Sequence, residues 1–442
     1  MNNSSEKYDN IPNIIENQII LKKPNSPIII SKGNFELINL KNESEKIEVN
    51  GKIYFEWFPN YGCFFSGTIS NNDFNRHIQN TNPKYKVVIN KKDVGNCFVV
   101  NTTTTLSEDR SQIKGKFENK IIIGDIGKSI DLVTFSIPNL KSISGEVVKS
   151  IKGTSSSRIK LENNEWCITI DKDPEYHKLE QELKMIGGYN ILYFGNIIKV
   201  NNTKFSYLDS NEIISCLDVF LSFINGRKLS CLFTMGFDID DKIWCDYNSK
   251  RVDTYKDVKT FLFYRNIQSL DLMWKKFSCI WQTSDGGKDF LTSIIHWYTE
   301  SNNQAGLIEG SIIMAQAGLE QLYYWTTSNT KHPNNTPSKL RSLIKYLNLK
   351  NSGIPENYKN LKLFAHTYIE DPEYRDIPGI ITTIRNNIVH PIEKIKISLE
   401  IKHEAWQLCL WLIEITLLKI LNHKGRYFDR TRREYRDYES PN

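Results

Sequence analysis

The stretch Ser284-Asp-Gly-Gly287 divides the sequence into two regions with different hydrophobic patterns. Before it, from Ile28 to about Ile198, short apolar and aromatic runs such as Lys52-Ile-Tyr-Phe-Glu-Trp-Phe58 alternate with Asn, Gly, Lys and Asp. This pattern is typical of antiparallel strands joined by turns. After it, apolar residues recur every three or four positions, which is typical of amphipathic helices. The sequence therefore predicts an α+β fold in which a β-rich antiparallel region precedes an all-α helical bundle.

Six helices are predicted after the Ser284–Gly287 stretch, separated by Pro, Gly and Asn residues. Their predicted bounds are 288–299, 304–325, 337–347, 356–368, 380–389 and 398–421. Two more are predicted within the β-rich region, over 174–186 with Asp173 as the cap and over 209–223 with Asp209 or Ser210 as the cap. The predicted organisation is a disordered segment 1–15, a β-rich region 16–283 that forms one unit or two subdomains, a helical domain 284–424 and a charged tail 425–442.

The composition excludes several classes of protein. The chain has 57 Lys and Arg against 51 Asp and Glu, so its net charge of +6 over 442 residues fits neither a histone-like basic protein nor a disordered acidic one. The most apolar stretch, Leu408 to Leu421, contains Glu414 and Lys419 and is shorter than the ~20 residues that a membrane-spanning helix needs. It predicts a buried core helix. The polar start MNNSSEKYDN lacks a secretory signal, so a cytoplasmic protein without membrane association is expected.

No motif in the sequence predicts a cofactor or a metal site. The eight cysteines are scattered singly, without a CxxC pair or a His at zinc-finger spacing, which favours reduced and mostly buried thiols. The segment Ile123-Gly-Asp-Ile-Gly-Lys128 lacks both the spacing of a phosphate-binding loop and the Ser or Thr that follows its Lys. We interpret it as a β-turn.

The C-terminal tail, 425–442, contains five Arg and three Tyr residues and allows two interpretations. It is either an arm that binds phosphates and stacks bases, or a solvated end in which the Arg residues are offset by neighbouring acids. Because the charges nearly cancel along the tail, the second interpretation is favoured.

The motif with the clearest chemical meaning is Arg385-Asn386-Asn387-Ile388-Val389-His390-Pro391. Pro391 disfavours helical geometry at His390, so the imidazole is expected at the end of the helix. Residues five apart on a regular helix differ by about 140°, so Arg385 and His390 converge only if that end unwinds or the Arg side chain reaches round.

These residue types suit cleavage of RNA by its own 2′-OH. Histidine titrates near neutrality and can act as acid or base, whereas the planar guanidinium of arginine can hold the charge that develops on the phosphate. The reaction needs no metal. One histidine is seldom both base and acid in a single step, and a second copy from a two-fold partner would supply the other group.

At these residues the sequence resembles the HEPN superfamily, whose ribonuclease members carry an Arg followed four to six residues later by a His on a helical bundle. Arg385 and His390 match this motif, and Asn386 fits the polar residue often found after the Arg. The layout, with Ala315-Gln-Ala-Gly-Leu-Glu320 on an early helix, looks like the ApeA-type branch of bacterial antiphage defence. The resemblance covers about 285–425 well and the first 280 residues only in general layout.

The resemblance implies a metal-independent endoribonuclease whose active site forms where two bundles meet. His390 would be the acid or base, Arg385 the phosphate clamp and Asn386 the positioning amide, with Asn387 in a supporting role. The expected substrate is RNA, plausibly tRNA, the expected assembly is a homodimer, and a phage-derived trigger is expected for activation. Glu320 has two interpretations: a residue that holds Arg385, or an exposed Glu on an amphipathic helix.

Two alternatives remain open on the sequence. In the first, Arg385 pairs with a carboxylate and His390 merely ends a helix, so that the protein is a non-catalytic HEPN-like module that binds RNA or protein while the β-rich region senses a ligand. A metal-dependent hydrolase would need a cluster of carboxylates or histidines, which the sequence does not supply. The other histidines, among them His296, His366, His403 and His423, are expected to be packed or surface residues.

Overall fold

The computed structural model describes residues 11–438, apart from 22, 74–83, 105–109, 264, 266, 284, 305–306, 328–330, 350–352 and 392–394. The fold is mixed α+β, with a β-rich N-terminal region and helices in the C-terminal part, which confirms the predicted fold class. Within the described residues the strands pair antiparallel throughout, also as predicted.

The first six strands form a closed barrel in the order β1-β2-β3-β6-β5-β4. Their bounds are β1 Ile28–Asn39, β2 Asn42–Glu56, β3 Gly62–Ser70, β4 Lys84–Ile89, β5 Lys92–Thr104 and β6 Arg110–Phe117, with a single helical turn at Asn71–Asp73. Alternate residues face inward, so that Val49 and Ile53 of β2 are buried while Asn50 and Lys52 face outward. Closure leaves no exposed sheet edge in this unit.

The next eight strands form one antiparallel sheet in the order β7-β14-β13-β8-β12-β11-β10-β9. Their bounds are β7 Lys120–Gly124, β8 Leu132–Pro138, β9 Glu146–Ser150, β10 Gly153–Glu162, β11 Trp166–Lys172, β12 Ile191–Lys199, β13 Leu232–Asp238 and β14 Asp241–Asn248. The barrel packs on this sheet through aromatic rings, and Phe55 of β2 lies 5.0 Å from Phe233 of β13 between ring centroids. The β-rich region thus contains two β units, one of the two arrangements considered for 16–283.

The helices are α1 Tyr176–Ile186, α2 Tyr207–Asn225, α3 Ile267–Trp281, α4 Gly287–Asn303, α5 Leu307–Thr326, α6 Thr336–Tyr346, α7 Lys359–Tyr368, α8 Ile377–Val389 and α9 Leu399–Ile420, with a 3-10 turn at Pro372–Tyr374. The six helices predicted after Gly287 correspond to α4–α9. Buried hydrophobic residues of the β-rich and helical parts form one contiguous core. Its junction is aromatic: Phe220 of α2 packs on Trp274 of α3 and Phe223 of α2 on Tyr298 of α4.

The predicted bounds of the two helices in the β-rich region are corrected at their N-termini. Helix α2 begins at Tyr207 because Ser206, not Asp209 or Ser210, is the cap: its side chain accepts the Asp209 N–H while the Asp209 carboxylate accepts the Ser206 N–H. In α1, Asp173 accepts the Glu175 N–H at 2.7 Å, and the helix begins at Tyr176 rather than at residue 174. Helix α3 was not predicted, because its Trp and Phe residues do not by themselves favour a helix.

The prediction of disorder at the N-terminus is wrong for residues 11–15, whereas residues 1–10 lie outside the described part of the chain. Asn13 forms a parallel bridge with Lys149, the Ile14 N–H donates to the Lys149 carbonyl at 2.9 Å, and the Ile15 N–H donates to the Asp171 carboxylate at 2.8 Å. Through its bonds to Lys149 of β9, this short segment lies along the outer edge of the eight-stranded sheet.

As far as Tyr438 the tail is a folded hairpin, so the interpretation of a solvated end is wrong for this part. Strands β15 Gly425–Asp429 and β16 Glu434–Tyr438 form a hairpin, and β15 is bonded to the segment before α3 through a bridge between Tyr427 and Leu262. Arg430, in the turn, is 2% exposed. The local charge balance therefore did not reveal that one of these arginines is a core residue.

The buried His423 makes the stability of the fold depend on pH. Its Nδ1 lies 2.6 Å from the Ser269 hydroxyl of α3, and burial lowers its pKa to about 4. The unfolded chain, with a pKa of about 6.5, binds a proton at higher pH than the folded chain does. We therefore expect this group to destabilise the fold as the pH falls from 6.5 to 4, by on the order of 2–3 kcal/mol.

The measurement is urea unfolding at a series of pH values, with His423→Gln as the reference. The difference in unfolding free energy between the two proteins should change across this window, because glutamine does not titrate. A difference that stays constant from pH 7 to pH 4 would contradict a depressed pKa at this position.

Candidate functional site

Helix α8 positions the predicted catalytic motif. Its N-terminus is capped by Asp376, whose carboxylate accepts the Gly379 N–H at 2.9 Å, and Pro378 lies in the first turn. Four isoleucines of α8 are buried, Ile377, Ile380, Ile381 and Ile384. The helix ends as predicted before Pro391: the His390 N–H still donates to the Asn386 carbonyl at 2.7 Å, but His390 has φ −128° and ψ 80° and has left the helical region.

The side chains of the motif are accessible at this end of α8. Asn386 and His390 are exposed and Arg385 is half-buried. Arg385 Nη1 donates to Asn386 Oδ1 at 3.2 Å, and among the described residues its guanidinium has no carboxylate partner. The cation is thus tied to the adjacent amide and keeps most of its donors free for an anion. The structure does not bring Arg385 and His390 into contact within one chain.

The two supporting residues lie elsewhere. Asn387 points into the bundle, where it is 9% exposed, and its Nδ2 has no hydrogen-bond partner among the described residues. Glu320 of α5 accepts from the Thr336 hydroxyl at 3.1 Å and from Lys339 Nζ at 3.2 Å, both on α6. The expectation that Glu320 holds Arg385 is therefore wrong, because a nearer cation on α6 neutralises it. The residue that links α5 to α8 is Gln316, which donates to the Ile381 carbonyl.

A second cluster of polar groups lies in a cleft of about 390 Å³ between the segment that follows β14, the end of α4, helix α9 and the β15–β16 turn. It brings together His403 of α9 and Arg433 of the turn. Partial burial and the charge of Arg433 lower the pKa of His403, which disfavours the protonated imidazole. Sequence reasoning placed His403 among the packed or surface residues, and no local signal connects it to a residue 30 positions away.

The outer surface of the barrel carries a polar groove of about 700 Å³. Strands β2 and β3 approach closely where Gly51 pairs with Gly67. Glycine is required at position 51 because a Cβ there would collide with the Ser66 carbonyl. Strand register places Lys32 opposite Lys52, Lys52 opposite Ser66 and Ser66 opposite Lys114. The described residues that line the groove include no Asp or Glu, although Lys114 pairs with Glu56 outside it at 3.4 Å.

The described residues were compared with the requirements of a metal site and of a membrane-spanning helix. They contain no group of three or more His, Cys, Asp or Glu side chains arranged to hold a metal ion. None of the helices in this part of the chain has the length and apolar character to cross a bilayer. The cysteines are unpaired and six of the eight are buried, and burial raises the pKa of Cys63 and of Cys409 to about 12. These two thiols are packing residues.

Comparison with known proteins divides the chain into two matched regions. Residues 125–258, from just before β8 to the segment after β14, match the family model of the YopA central domain. Residues 285–439, from α4 to the end of the hairpin, match that of the YopA C-terminal domain. Over almost its whole length the chain is similar to the SPbeta prophage-derived uncharacterized protein YopA of Bacillus subtilis (strain 168), with 24% identity over 425 residues and 92% of each chain covered. No solved structure matches the chain.

Proposed function

We propose that the protein is a cytoplasmic, metal-independent endoribonuclease of the HEPN type that acts in bacterial antiphage defence. The observation that carries the proposal is the state of the motif on α8: Arg385 without a carboxylate partner among the described residues, bonded to Asn386, with His390 exposed at the same helix end. The word "prophage-derived" in the name of the Bacillus subtilis relative is compatible with such a role.

In the proposed reaction, His390 accepts the proton of the 2′-OH as its oxygen attacks the adjacent phosphorus. The O2′–P bond forms and the P–O5′ bond breaks, which yields a 2′,3′-cyclic phosphate and a 5′-OH end. Arg385 holds the non-bridging oxygens while their charge develops. A protonated His390 of the partner subunit supplies the proton to the leaving 5′-oxygen, so the site is completed where two copies meet.

The proposal is tested by incubating the purified protein with total cellular RNA, including tRNA, in the presence of EDTA. Fragments with 2′,3′-cyclic phosphate ends are expected, and His390→Ala should remove them. His403→Ala is the matched comparison, because His403 shares the cleft between α9 and the β15–β16 turn with an arginine, Arg433. If His403→Ala abolishes cleavage and His390→Ala does not, the site on α8 is wrong. A protein that is monomeric in solution during cleavage would contradict a shared site.

The lysine groove of the barrel supports RNA as the substrate. Lys32 and Lys52 face each other on paired strands, and like charges in that position destabilise a sheet unless an anion lies between them. Adjacent strands lie ~4.8 Å apart, so Lys32 and Lys114 are separated by three strand spacings, or ~14 Å. The phosphates of a single RNA strand can follow such a row.

Replacing Lys32, Lys52 and Lys114 together by Gln is expected to weaken binding of single-stranded RNA to the His390→Ala protein. If all three contact phosphates, the slope of log affinity against log salt should fall by about 2. Fluorescence anisotropy of a labelled oligonucleotide at several salt concentrations measures both quantities.

The control is a triple Gln variant of Lys41, Lys46 and Lys92, which are exposed elsewhere on the barrel and change the net charge equally. Equal losses in both variants would mean that overall charge, not the groove, holds the RNA.

A further inference from the structure

A continuous groove runs along the junction between the β-rich and helical parts. The cleft that holds His403 and Arg433 adjoins a cavity of about 360 Å³ that reaches Lys141, and the two share Asp257 to Lys259 and Phe428 in their walls. On its other side it adjoins a cavity of about 760 Å³, with Gln304, His403, Glu404 and Arg433 in common. Each of the three cavities lies within the size range of small-molecule sites.

The floor of the groove is rigid, and its buried acids are already satisfied. Arg430 forms two bonds of 2.8 Å to Glu414 and donates to the Lys259 carbonyl at 2.7 Å. The Glu404 carboxylate accepts the Leu361 backbone N–H at 2.8 Å and the Asn360 side-chain amide at 2.7 Å, and it thereby caps the start of α7. Neither carboxylate is therefore free to neutralise a cation at the rim.

Three cations at the rim have no carboxylate partner among the described residues. Lys259 lies over the Phe428 ring at 5.5 Å, Lys256 donates to the Asn303 carbonyl at 3.1 Å, and the Arg433 guanidinium forms no hydrogen bond with the described part of the chain. Asp257 is the one remaining acid in the wall of the central cleft. The rim is therefore net positive, which favours an anion.

Two titratable groups in the walls of the groove have lowered pKa values, chiefly because they are buried. Burial, together with the nearby Arg430 and Arg227, lowers the pKa of Lys141 to about 7, against the opposing effects of Glu414 and Asp257. Burial, Arg433 and Lys259 lower the pKa of His403, against the effect of Glu404. An anion bound among these groups would favour their charged forms, so binding at pH 7 should take up protons.

The far end of the groove carries exposed apolar side chains beside Glu400 and beside Glu309, which is paired with Lys402 at 2.6 Å. Leu307 is 76% exposed and Leu399 66% exposed, and both line the largest of the three cavities together with Ile308. A ligand that fills the groove would thus place charge at one end and an apolar or planar group at the other.

We propose that this junction groove binds a small phosphorylated ligand of nucleotide size, with its phosphates at Lys256, Lys259 and Arg433 and its apolar part at Leu307, Ile308 and Leu399. The ligand would contact both parts of the chain at once, because Lys256 and Lys259 follow β14, whereas Arg433 lies in the β15–β16 turn and the two leucines begin α5 and α9. This site is separate from the motif on α8, so it stands or falls independently of RNA cleavage.

The test is calorimetric titration of the His390→Ala protein with ATP, pyrophosphate and adenosine at pH 7. ATP is expected to bind at least about tenfold more tightly than adenosine, and Lys259→Gln with Arg433→Gln should weaken ATP binding by about tenfold or more. Both residues are exposed, so the fold should persist, and an unchanged urea midpoint verifies it. Lys41→Gln with Lys46→Gln is the control of equal charge.

A second readout separates this site from a general charge effect. The heat of ATP binding measured in buffers of different ionisation enthalpy gives the number of protons taken up, and His403→Gln with Lys141→Met should reduce it. Failure of both ATP and pyrophosphate to bind at 1 mM, or ATP binding that is unchanged in the Lys259 and Arg433 double variant, would overturn the proposal. Equal binding of ATP and pyrophosphate would overturn the role of the apolar end.

Discussion

Replacing His390 by alanine is expected to lower the rate of RNA cleavage by about 10²–10⁴-fold, which is the range that a positioned acid or base contributes. His390 is exposed at the end of α8, where its backbone is held by the bond to Asn386, so removal of the imidazole should leave the fold intact. The measurement is the initial rate of cleavage of a defined RNA in EDTA by wild type and variant. The urea midpoint should not differ between them.

The matched control for this prediction is His366→Ala on α7, an exposed histidine outside the motif. Its cleavage rate should equal that of wild type. A His390→Ala protein that cleaves at the wild-type rate would remove His390 from the mechanism. Arg385→Ala tests the alternative of a non-catalytic binding module, which predicts that this variant binds RNA more weakly and that neither it nor the wild type produces fragments.

Replacing Arg430 by methionine is expected to destabilise the fold by about 3–5 kcal/mol, because it leaves the Glu414 carboxylate buried without its cation. Both side chains are 1% exposed. Arg430 also donates to Asn302 and Gln407, whose oxygens would lose a partner. Urea unfolding followed by circular dichroism gives the change in unfolding free energy.

Two further variants make this result interpretable. Adding Glu414→Gln to Arg430→Met removes the buried charge while keeping an acceptor for the Tyr298 hydroxyl, so part of the stability should return. Lys402→Met breaks the partly exposed ion pair with Glu309 and should cost no more than about 1 kcal/mol. If Arg430→Met costs as little as Lys402→Met, the turn between β15 and β16 does not contribute to the core.

The elements that could be predicted are those that local sequence specifies. The period of apolar residues predicted helices α4–α9, and Pro391 predicted where α8 ends, because proline acts on its immediate neighbour. The prediction was less accurate at the start of α2, since Asp209, Ser210 and Ser206 are all good caps and only the folded chain selects Ser206. Helix α3 was missed because its aromatic residues favour strands as readily as helices.

For the site, the sequence identified Arg385, Asn386 and His390 as a chemically competent set at a helix end, and their accessibility is compatible with that interpretation. It left two interpretations of Glu320 open, and the structure pairs this residue with Lys339 on α6. It did not find the junction groove, whose walls come from segments as distant along the chain as Lys141 and Arg433.

By itself the sequence determined the α+β class, the order of strands before helices and the end of α8, since these depend on residues within a few positions of one another. Only the tertiary structure decided which charges are buried, paired or free. Strand register across four strands of the barrel aligned Lys32, Lys52 and Lys114, and the return of the hairpin onto α9 placed Arg430 against Glu414. Such pairings depend on how distant segments pack, and composition or local spacing does not encode them.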